Sequence, residues 1–130
     1  MKTVKLLEQG LTVLKPVGDR LPYDIAVDVS GQLVRIQVRT AYKTSFDTFS
    51  GNTRSIRTNR KRYRIEPANT KDVEFFIFVL AEINECYVVP SYVVKKYASR
   101  IVFGQDHKHE QFRNNFGAVG ERLIRTAHNR

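Results

Sequence analysis

The 130-residue chain has only one cysteine and one methionine, and it has no tryptophan. A single cysteine excludes an internal disulfide and a zinc site built from several cysteines, so Cys86 is predicted to be a reduced core residue. Long apolar runs are also missing. The longest, Phe75 to Ala81, is far shorter than the roughly 20 residues of a bilayer span, and the start of the chain lacks the apolar core of a signal peptide. We therefore expect a cytoplasmic protein without a membrane partner.

Acidic residues are scarce relative to basic ones, with 13 Asp and Glu against 22 Lys and Arg and a formal charge of +9. This surplus favours a polyanionic partner, and nucleic acid ahead of an anionic membrane surface. The length and the 42% apolar fraction predict one globular domain over residues 1–130.

Alternating apolar residues predict a β-hairpin early in the chain. Tyr23 to Val29 and Gln32 to Tyr42 both alternate, and a Ser-Gly turn signal separates them. With those two residues as the turn, Asp24 lies opposite Gln37.

Periodicity and turn signals place the other elements of the chain. Asp72 to Ala81 is predicted to be a central strand buried on both faces, Ser50 to Asn52 a turn, and Ser91 the N-cap of a helix. The remaining predicted elements are a helix over 1–9, strands over 11–17, 55–58 and 86–89, and helices over 92–99 and 109–126. The order predicts an α+β, α/β-like domain with a central mixed β-sheet flanked by helices.

Positive charge is concentrated in thirty residues. The segment 35–64 contains nine basic residues and one acid, Asp47. The basic residues are Arg35, Arg39, Lys43, Arg54, Arg57, Arg60, Lys61, Arg62 and Arg64. Such a block neutralises phosphates, and residues 43–64 are predicted to be a loop or β-ribbon arm that contacts DNA, since a ribbon fits the major groove. The alternatives are a solvated charge run and an RNA-binding surface.

One polar constellation has the composition of a phosphoryl-transfer site. Residues two apart on a strand share a face, so Asp24, Gln37 and Arg39 are predicted to converge. Carboxylate, amide and carbonyl oxygens suit a hard cation such as Mg²⁺, and a nearby guanidinium stabilises phosphoryl charge. The alternative is a polar outer face with a cross-strand ion pair. His107 and His109, without a third ligand, are predicted to be surface residues.

Three segments carry a resemblance to a known family. Gly10-Leu-Thr-Val-Leu-Lys-Pro, Leu21-Pro-Tyr-Asp24-Ile-Ala-Val-Asp and Arg35-Ile-Gln37-Val-Arg39-Thr-Ala-Tyr resemble the PD-(D/E)xK nuclease superfamily. The sequence looks most like the small homing endonucleases associated with group I introns, in which a glutamine replaces the second acidic residue. Asp72-Val-Glu-Phe-Phe-Ile-Phe-Val and Tyr87-Val-Val-Pro-Ser resemble the later strands of that group.

The resemblance implies a restriction-endonuclease-like core and a role for each matched residue. Asp24 matches the metal-binding aspartate and Gln37 the glutamine, so Asp24, Gln37 and the carbonyl of Val38 would bind Mg²⁺ or another divalent cation. Arg39 stands where the family has its catalytic lysine. The guanidinium of arginine is planar and stays protonated, so replacement of the lysine by arginine is not conservative. Glu8 matches the acidic residue of the family's first helix poorly.

The resemblance implies a site-specific endonuclease of the homing type that hydrolyses double-stranded DNA and is weakened by Arg39. The alternatives are a non-cleaving DNA-binding module of the same fold and a Holliday junction resolvase. Cutting both strands requires two active sites, so a homodimer or homotetramer is expected. Its contact is predicted to be the C-terminal helix around Phe112, Phe116 and Leu123.

Overall fold

The computed structural model describes residues 12–14, 24–29, 31–44, 47–59, 62–68, 70–104 and 108–119, with the backbone alone for 55–59 and 62–66. The strands are β1 (Thr12–Leu14), β2 (Ile25–Val29), β3 (Gln32–Lys43), β4 (Phe49–Asn52), β5 (Ser55–Asn59), β6 (Arg62–Glu66), β7 (Phe75–Leu80), β8 (Glu85–Pro90) and β9 (Arg100–Phe103). One helix, α1 (Ser91–Val94), and one 3₁₀ helix, Glu110–Phe112, complete the described elements. The helix predicted over 1–9, with Glu8, lies outside the described residues.

The twelve-residue strand β3 organises a seven-stranded sheet. One edge of β3 pairs with β2 near its start and with β4 at its end, while the other edge runs parallel to β7. The strands β1, β8 and β9 extend the sheet by antiparallel pairing. The predicted mixed sheet is confirmed, although a single strand pair is parallel. The predicted flanking helices are not found among the described residues, apart from the four residues of α1 and the helical residues 118 and 119.

The predicted hairpin has the predicted register. Ile25 pairs with Ile36 and Val27 with Val34, and all four side chains are buried. Gly31 has φ +85°, which only glycine adopts freely, and its N–H donates to Asp28 Oδ1 at 2.8 Å. The alternation of apolar residues therefore determined the pairing, because a slip by one residue would expose the whole apolar set.

The sheet is buried on both faces where β7 crosses it. Phe75 and Ile77 belong to a core cluster on one face, and Phe76 and Phe78 belong to a cluster on the other. All four are at most 2% exposed, which confirms the predicted central strand. Cys86 is buried in the first cluster, as predicted for a core residue.

The helix predicted over 92–99 is confirmed at its start, but its predicted length is wrong. The described helix spans Ser91–Val94, and Ser91 is its first helical residue rather than its N-cap, which is Pro90. The Ser91 hydroxyl donates instead to the carbonyl of Val73, so it fastens α1 to the loop before β7. The segment that follows, Arg100–Phe103, forms strand β9. Its backbone pairs with β4, and its side chains Ile101 and Phe103 pack in the core.

The continuous helix predicted from residue 109 is also wrong. His109 and Asn114 have φ values of +71° and +51°, and a left-handed residue interrupts a right-handed helix. Asn114 exchanges backbone and side-chain hydrogen bonds with Cys86 of β8, at 2.7 and 3.0 Å. Phe116 is 3% exposed, and Phe112 packs against the core cluster that contains Phe76 and Phe78. Both side chains therefore contribute to this chain's own core. Leu123 lies outside the described residues.

The turn predicted at residues 50–52 belongs to strand β4, which pairs with β3 and β9. Gly51 permits this pairing, because a Cβ there would lie 2.4 Å from Cδ1 of Phe78. Among the described residues, no helix is long and apolar enough to cross a membrane.

Candidate active site

Asp24 stands at a break in the strand pairing of β3. The strand β2 begins at Ile25, opposite Ile36, while β4 joins the same edge of β3 at Ala41. On this edge of β3, residues 37–40 therefore lie in a gap between the part that pairs with β2 and the part that pairs with β4. Asp24 fills the start of this gap: its N–H donates to the carbonyl of Ile36 at 3.0 Å, and its Oδ2 accepts from the N–H of Val38 at 2.8 Å.

The bond to Val38 fixes the carboxylate of Asp24 beside the other predicted site residues. Gln37 and Arg39 lie two apart on β3 and share a face, and Nη2 of Arg39 donates to Oε1 of Gln37 at 3.4 Å. The carboxylate of Asp24 raises the pKa of Arg39, against the larger effect of burial. The structure thus brings Asp24, Gln37 and Arg39 to one place, as the sequence predicted.

Arg39 is anchored more firmly than the sequence indicates. Its Nη1 donates to two backbone carbonyls at the end of β4, that of Asn52 at 2.8 Å and that of Arg54 at 2.6 Å. Its guanidinium carbon lies 5.5 Å from the centre of the Phe76 ring. Burial lowers the pKa of Arg39 because it desolvates the cation, and the carboxylate of Asp24 acts in the opposite direction.

The donors around the gap match the preference of a hard divalent cation for oxygen. Asp24 contributes a carboxylate of which one oxygen is held by Val38. The carbonyl of Val38 points to the same edge of β3 as its N–H, because both backbone groups of a strand residue face one side. Within the described residues, no group of three His, Cys, Asp or Glu side chains could hold a metal. Such a cation would be held by one carboxylate and neutral oxygens, with water completing its shell.

Arg35, a predicted DNA contact, is engaged by an acidic partner. Its Nη2 donates to Oε1 of Glu74 at 2.7 Å, its backbone N–H donates to Oε2 of the same residue at 2.6 Å, and Asp72 lies 3.9 Å away. Both members of the Arg35–Glu74 pair are at most 34% exposed. Glu74 was missed by the sequence reasoning, since it meets Arg35 only when β7 aligns in parallel with β3.

The basic arm forms a two-stranded ribbon, and the short strand predicted at 55–58 is confirmed as β5. In the register of β5 and β6, Arg57 pairs with Arg64 and Asn59 with Arg62. Positions two apart share a face, so these four positions form one row of the ribbon. Arg60 and Lys61 lie outside the described residues.

Two further basic residues of the predicted arm lie outside the ribbon. Lys43 ends β3 and lies 3.6 Å from Asp47, in a pair whose side chains are 61% and 97% exposed. Arg54 is exposed just before β5. The arm predicted over residues 43–64 is therefore only partly a separate ribbon: Lys43 and β4 belong to the main sheet, and the ribbon begins just after Arg54, whose carbonyl accepts from Arg39.

His109 is not the surface residue that its sequence context predicts. It is 7% exposed, and its Nε2 lies 3.0 Å from the hydroxyl of Tyr97. Its ring stacks on Phe112 with centroids 6.0 Å apart. Burial, together with the charge of Lys108, lowers the pKa of His109. The left-handed backbone at this position turns the ring inward, which no sequence pattern revealed.

Comparisons with known proteins show a family and a similar fold. A family model described as PD-(D/E)XK endonuclease matches residues 2–118. Among solved structures, the chain is similar to that of a bacterial homing endonuclease, I-Ssp6803I, with a TM-score of 0.81 and 28% identity. The match covers 95% of this chain and 88% of the other. A comparison with curated proteins found no match.

Proposed function

Because this chain belongs to the PD-(D/E)XK endonuclease family, we propose that it is a site-specific endonuclease of the homing type that hydrolyses phosphodiesters in double-stranded DNA. The observation that carries the proposal is the convergence of Asp24, Gln37 and Arg39 at the break between β2 and β4. The similarity to a bacterial homing endonuclease supports the class of substrate. A basic ribbon beginning next to this site supports duplex DNA as the ligand.

The site residues divide the work of hydrolysis. Asp24, Gln37 and the carbonyl of Val38 would hold Mg²⁺ or a similar cation, which when bound supplies Lewis-acid stabilisation of the phosphoryl oxygens. The oxygen of a water forms a bond to phosphorus as the bond to one deoxyribose oxygen breaks. The products are a phosphate monoester and a hydroxyl, and the water's protons pass to the leaving oxygen and to solvent.

Arg39 acts in this scheme as a fixed positive charge. An arginine remains protonated at neutral pH even when burial lowers its pKa, so it does not accept the proton of the attacking water. Its charge lies beside Asp24, where it stabilises a developing phosphoryl charge. Because Nη1 is committed to the carbonyls of Asn52 and Arg54, the guanidinium has less freedom to follow the reacting phosphate. Cleavage is therefore weaker than with a lysine.

The same anchoring supports a second candidate function, a DNA-binding module of this fold that does not cut. In that case the hydrogen bonds of Arg39 to β4 serve the fold alone. Binding of duplex DNA with no Mg²⁺-dependent cleavage would select this alternative.

The DNA contacts are proposed on the ribbon and its flanks. They comprise Lys43, Arg54, Arg57, Arg60, Lys61, Arg62 and Arg64, while Arg35 is a weaker candidate because Glu74 binds its guanidinium. Two sites are needed to cut both strands, which implies a homodimer or homotetramer. Of the side chains predicted for its contact, Phe116 is buried in this chain's own core, while Phe112 is only partly buried.

Cleavage of a random-sequence duplex library tests this function. We expect Mg²⁺-dependent cuts at a restricted set of sequences, and their loss in an Asp24→Asn variant, which keeps the size of the side chain but removes its charge. A four-way junction added as competitor should not be preferred. Preferred cutting of the junction would indicate a resolvase, and cutting that survives both Asp24→Asn and chelation of divalent ions would contradict the proposed site.

A further inference from the structure

A groove lined by polar side chains lies on one face of β3, β4 and β9, opposite to the face that carries the side chains of Gln37 and Arg39, and no described segment covers it. Its volume is about 510 Å³. The lining residues are Thr40, Tyr42, Ser50, Asn52, Arg54, Ser99 and Arg100. The other face of the same strands is buried in the core, where Ala41, Phe49 and Ile101 pack. One face thus stabilises the fold, and the groove is left facing solvent.

Strand register builds the floor of the groove. Asn52 pairs with Arg100, and the pairing of Ala41 with Gly51 puts Thr40 opposite Asn52. Thr40, Asn52 and Arg100 therefore form a straight row across three strands, roughly 10 Å long at the usual strand spacing. All three are exposed. A row of hydroxyl, amide and guanidinium groups offers hydrogen bonds at successive positions to an extended ligand.

The chemistry of the lining identifies an anionic ligand. Two arginines, Arg54 and Arg100, border the groove, and none of its lining residues is acidic. Tyr42 is 66% exposed and presents an aromatic ring beside them. Hydroxyls, amides and arginines are the groups that most often contact the phosphates and sugars of DNA. An exposed ring adds contact area for a deoxyribose or a base.

The groove and the candidate site meet at one stretch of backbone, just at the end of β4. The carbonyls that accept from Arg39 belong to Asn52 and Arg54, two residues of the groove lining. The ribbon strand β5 begins immediately after Arg54. The groove therefore leads from β9 to the start of the ribbon, on the face of β3 opposite to the side chain of Arg39.

We propose that this groove is a phosphate track, a second DNA-contact surface in which Arg54, Arg100 and Tyr42 hold the sugar-phosphate backbone of the duplex substrate. The inference rests on the proposed function, and it adds β9 to the DNA-contact surface. The track holds the backbone in register and does not read bases, so its effect is the same for all sequences.

Equilibrium binding of a short labelled duplex tests the track, with a chelator present to prevent cleavage. Fluorescence anisotropy is measured across about 50 to 200 mM salt, where the affinity of phosphate contacts changes steeply. The variants are Arg54→Ala, Arg100→Ala, their combination and Tyr42→Ala. The matched control is Lys96→Ala, which removes the same charge from an exposed residue just after α1, whose Val93 and Val94 pack on the opposite face.

Each arginine variant should lower the slope of log affinity against log salt by about 0.9, and the combination by about 1.8. Kd should rise about threefold for each arginine at moderate salt. Tyr42→Ala should raise Kd without changing the slope, because tyrosine carries no charge at neutral pH. These changes should be equal for unrelated duplex sequences, and Lys96→Ala should leave both quantities unchanged.

The outcomes separate this inference from the proposed function. If the groove variants behave like Lys96→Ala while Arg64→Ala in the ribbon weakens binding, the track is wrong and the DNA-binding function stands. If the unaltered chain does not bind duplex DNA, both fail. All substituted groove side chains are exposed or line solvent, so a thermal melt of each variant should match that of the unaltered chain; a large loss of stability would show that the groove serves the fold instead.

Discussion

Replacing Arg39 by lysine should lower stability and raise cleavage together. The guanidinium donates to the carbonyls of Asn52 and Arg54 and to Oε1 of Gln37. A lysine ammonium is a compact head on a flexible stem, and it cannot span these three acceptors at once. Freed from β4, the ammonium can donate to the attacked phosphate or to the water.

The magnitude of the stability loss follows from the bonds that lysine abandons. A hydrogen bond that involves a charged group contributes about 1.5–3 kcal/mol. Arg39 is half-buried and lysine keeps one acceptor, so we expect a loss of about 1–2 kcal/mol in the free energy of unfolding. For a domain of this size, that lowers Tm by about 4–7 °C. Cleavage should rise by about a hundredfold, the lower end of the range for one well-placed donor.

Urea unfolding and Mg²⁺-dependent cleavage of duplex DNA, measured on the same preparations, check both halves of this prediction. Arg100→Lys is a matched control for stability, because it makes the same exchange at an exposed residue. An unchanged free energy of unfolding for Arg39→Lys would show that the bonds to β4 contribute nothing. A folded variant that cleaves less than the unaltered chain would show that the guanidinium itself is the effective group, which would refute the role given to Arg39.

Three further predictions concern the fold around the site. Gly51→Ala would place a methyl group 2.4 Å from the ring of Phe78, so chemical denaturation should show a free energy of unfolding lower by about 1–3 kcal/mol. An unchanged denaturation midpoint would mean that the ring can move aside. Because the pKa of His109 is lowered in the folded chain, the unfolded chain takes up this proton at a higher pH, and the free energy of unfolding should fall as pH drops below about 6.5. The fall should be smaller in His109→Gln. An equal fall in that variant would assign the pH dependence to other groups. Arg35→Ala should leave Glu74 without its main partner and cost about 1–2 kcal/mol in unfolding experiments, whereas a DNA-contact role alone would change binding and leave stability intact.

The sequence predicted the part of the fold that alternation specifies. The hairpin of β2 and β3 and the buried strand β7 were found at the predicted positions, because burial of one or both faces determines register and exposure. The same hairpin brought Asp24 and Gln37 together. Their place at a break between two partner strands was not predictable, because β4 was taken for a turn.

The errors share a physical cause, which is tertiary contact. Ser91 has the composition of an N-cap, yet its hydroxyl bonds to the carbonyl of Val73. Helical spacing of apolar residues near the end of the chain indicated a helix, but Asn114 adopts a left-handed conformation to bond with Cys86 of β8. The anchoring of Arg39 by β4 and the pairing of Arg35 with Glu74 depend on partners distant in sequence, and a single sequence does not reveal those contacts.

The central claim is that Asp24 and the residue at position 39 belong to one phosphodiester-cleaving site. The most direct test is Mg²⁺-dependent cleavage of a random-sequence duplex library by four proteins: the chain itself, Arg39→Lys, Asp24→Asn and the double variant. We predict restricted cutting by the chain, stronger cutting by Arg39→Lys, and none by either protein that carries Asp24→Asn. Cutting by the double variant at the level of Arg39→Lys would contradict the account, because cleavage would then not depend on the carboxylate held between β2 and β3.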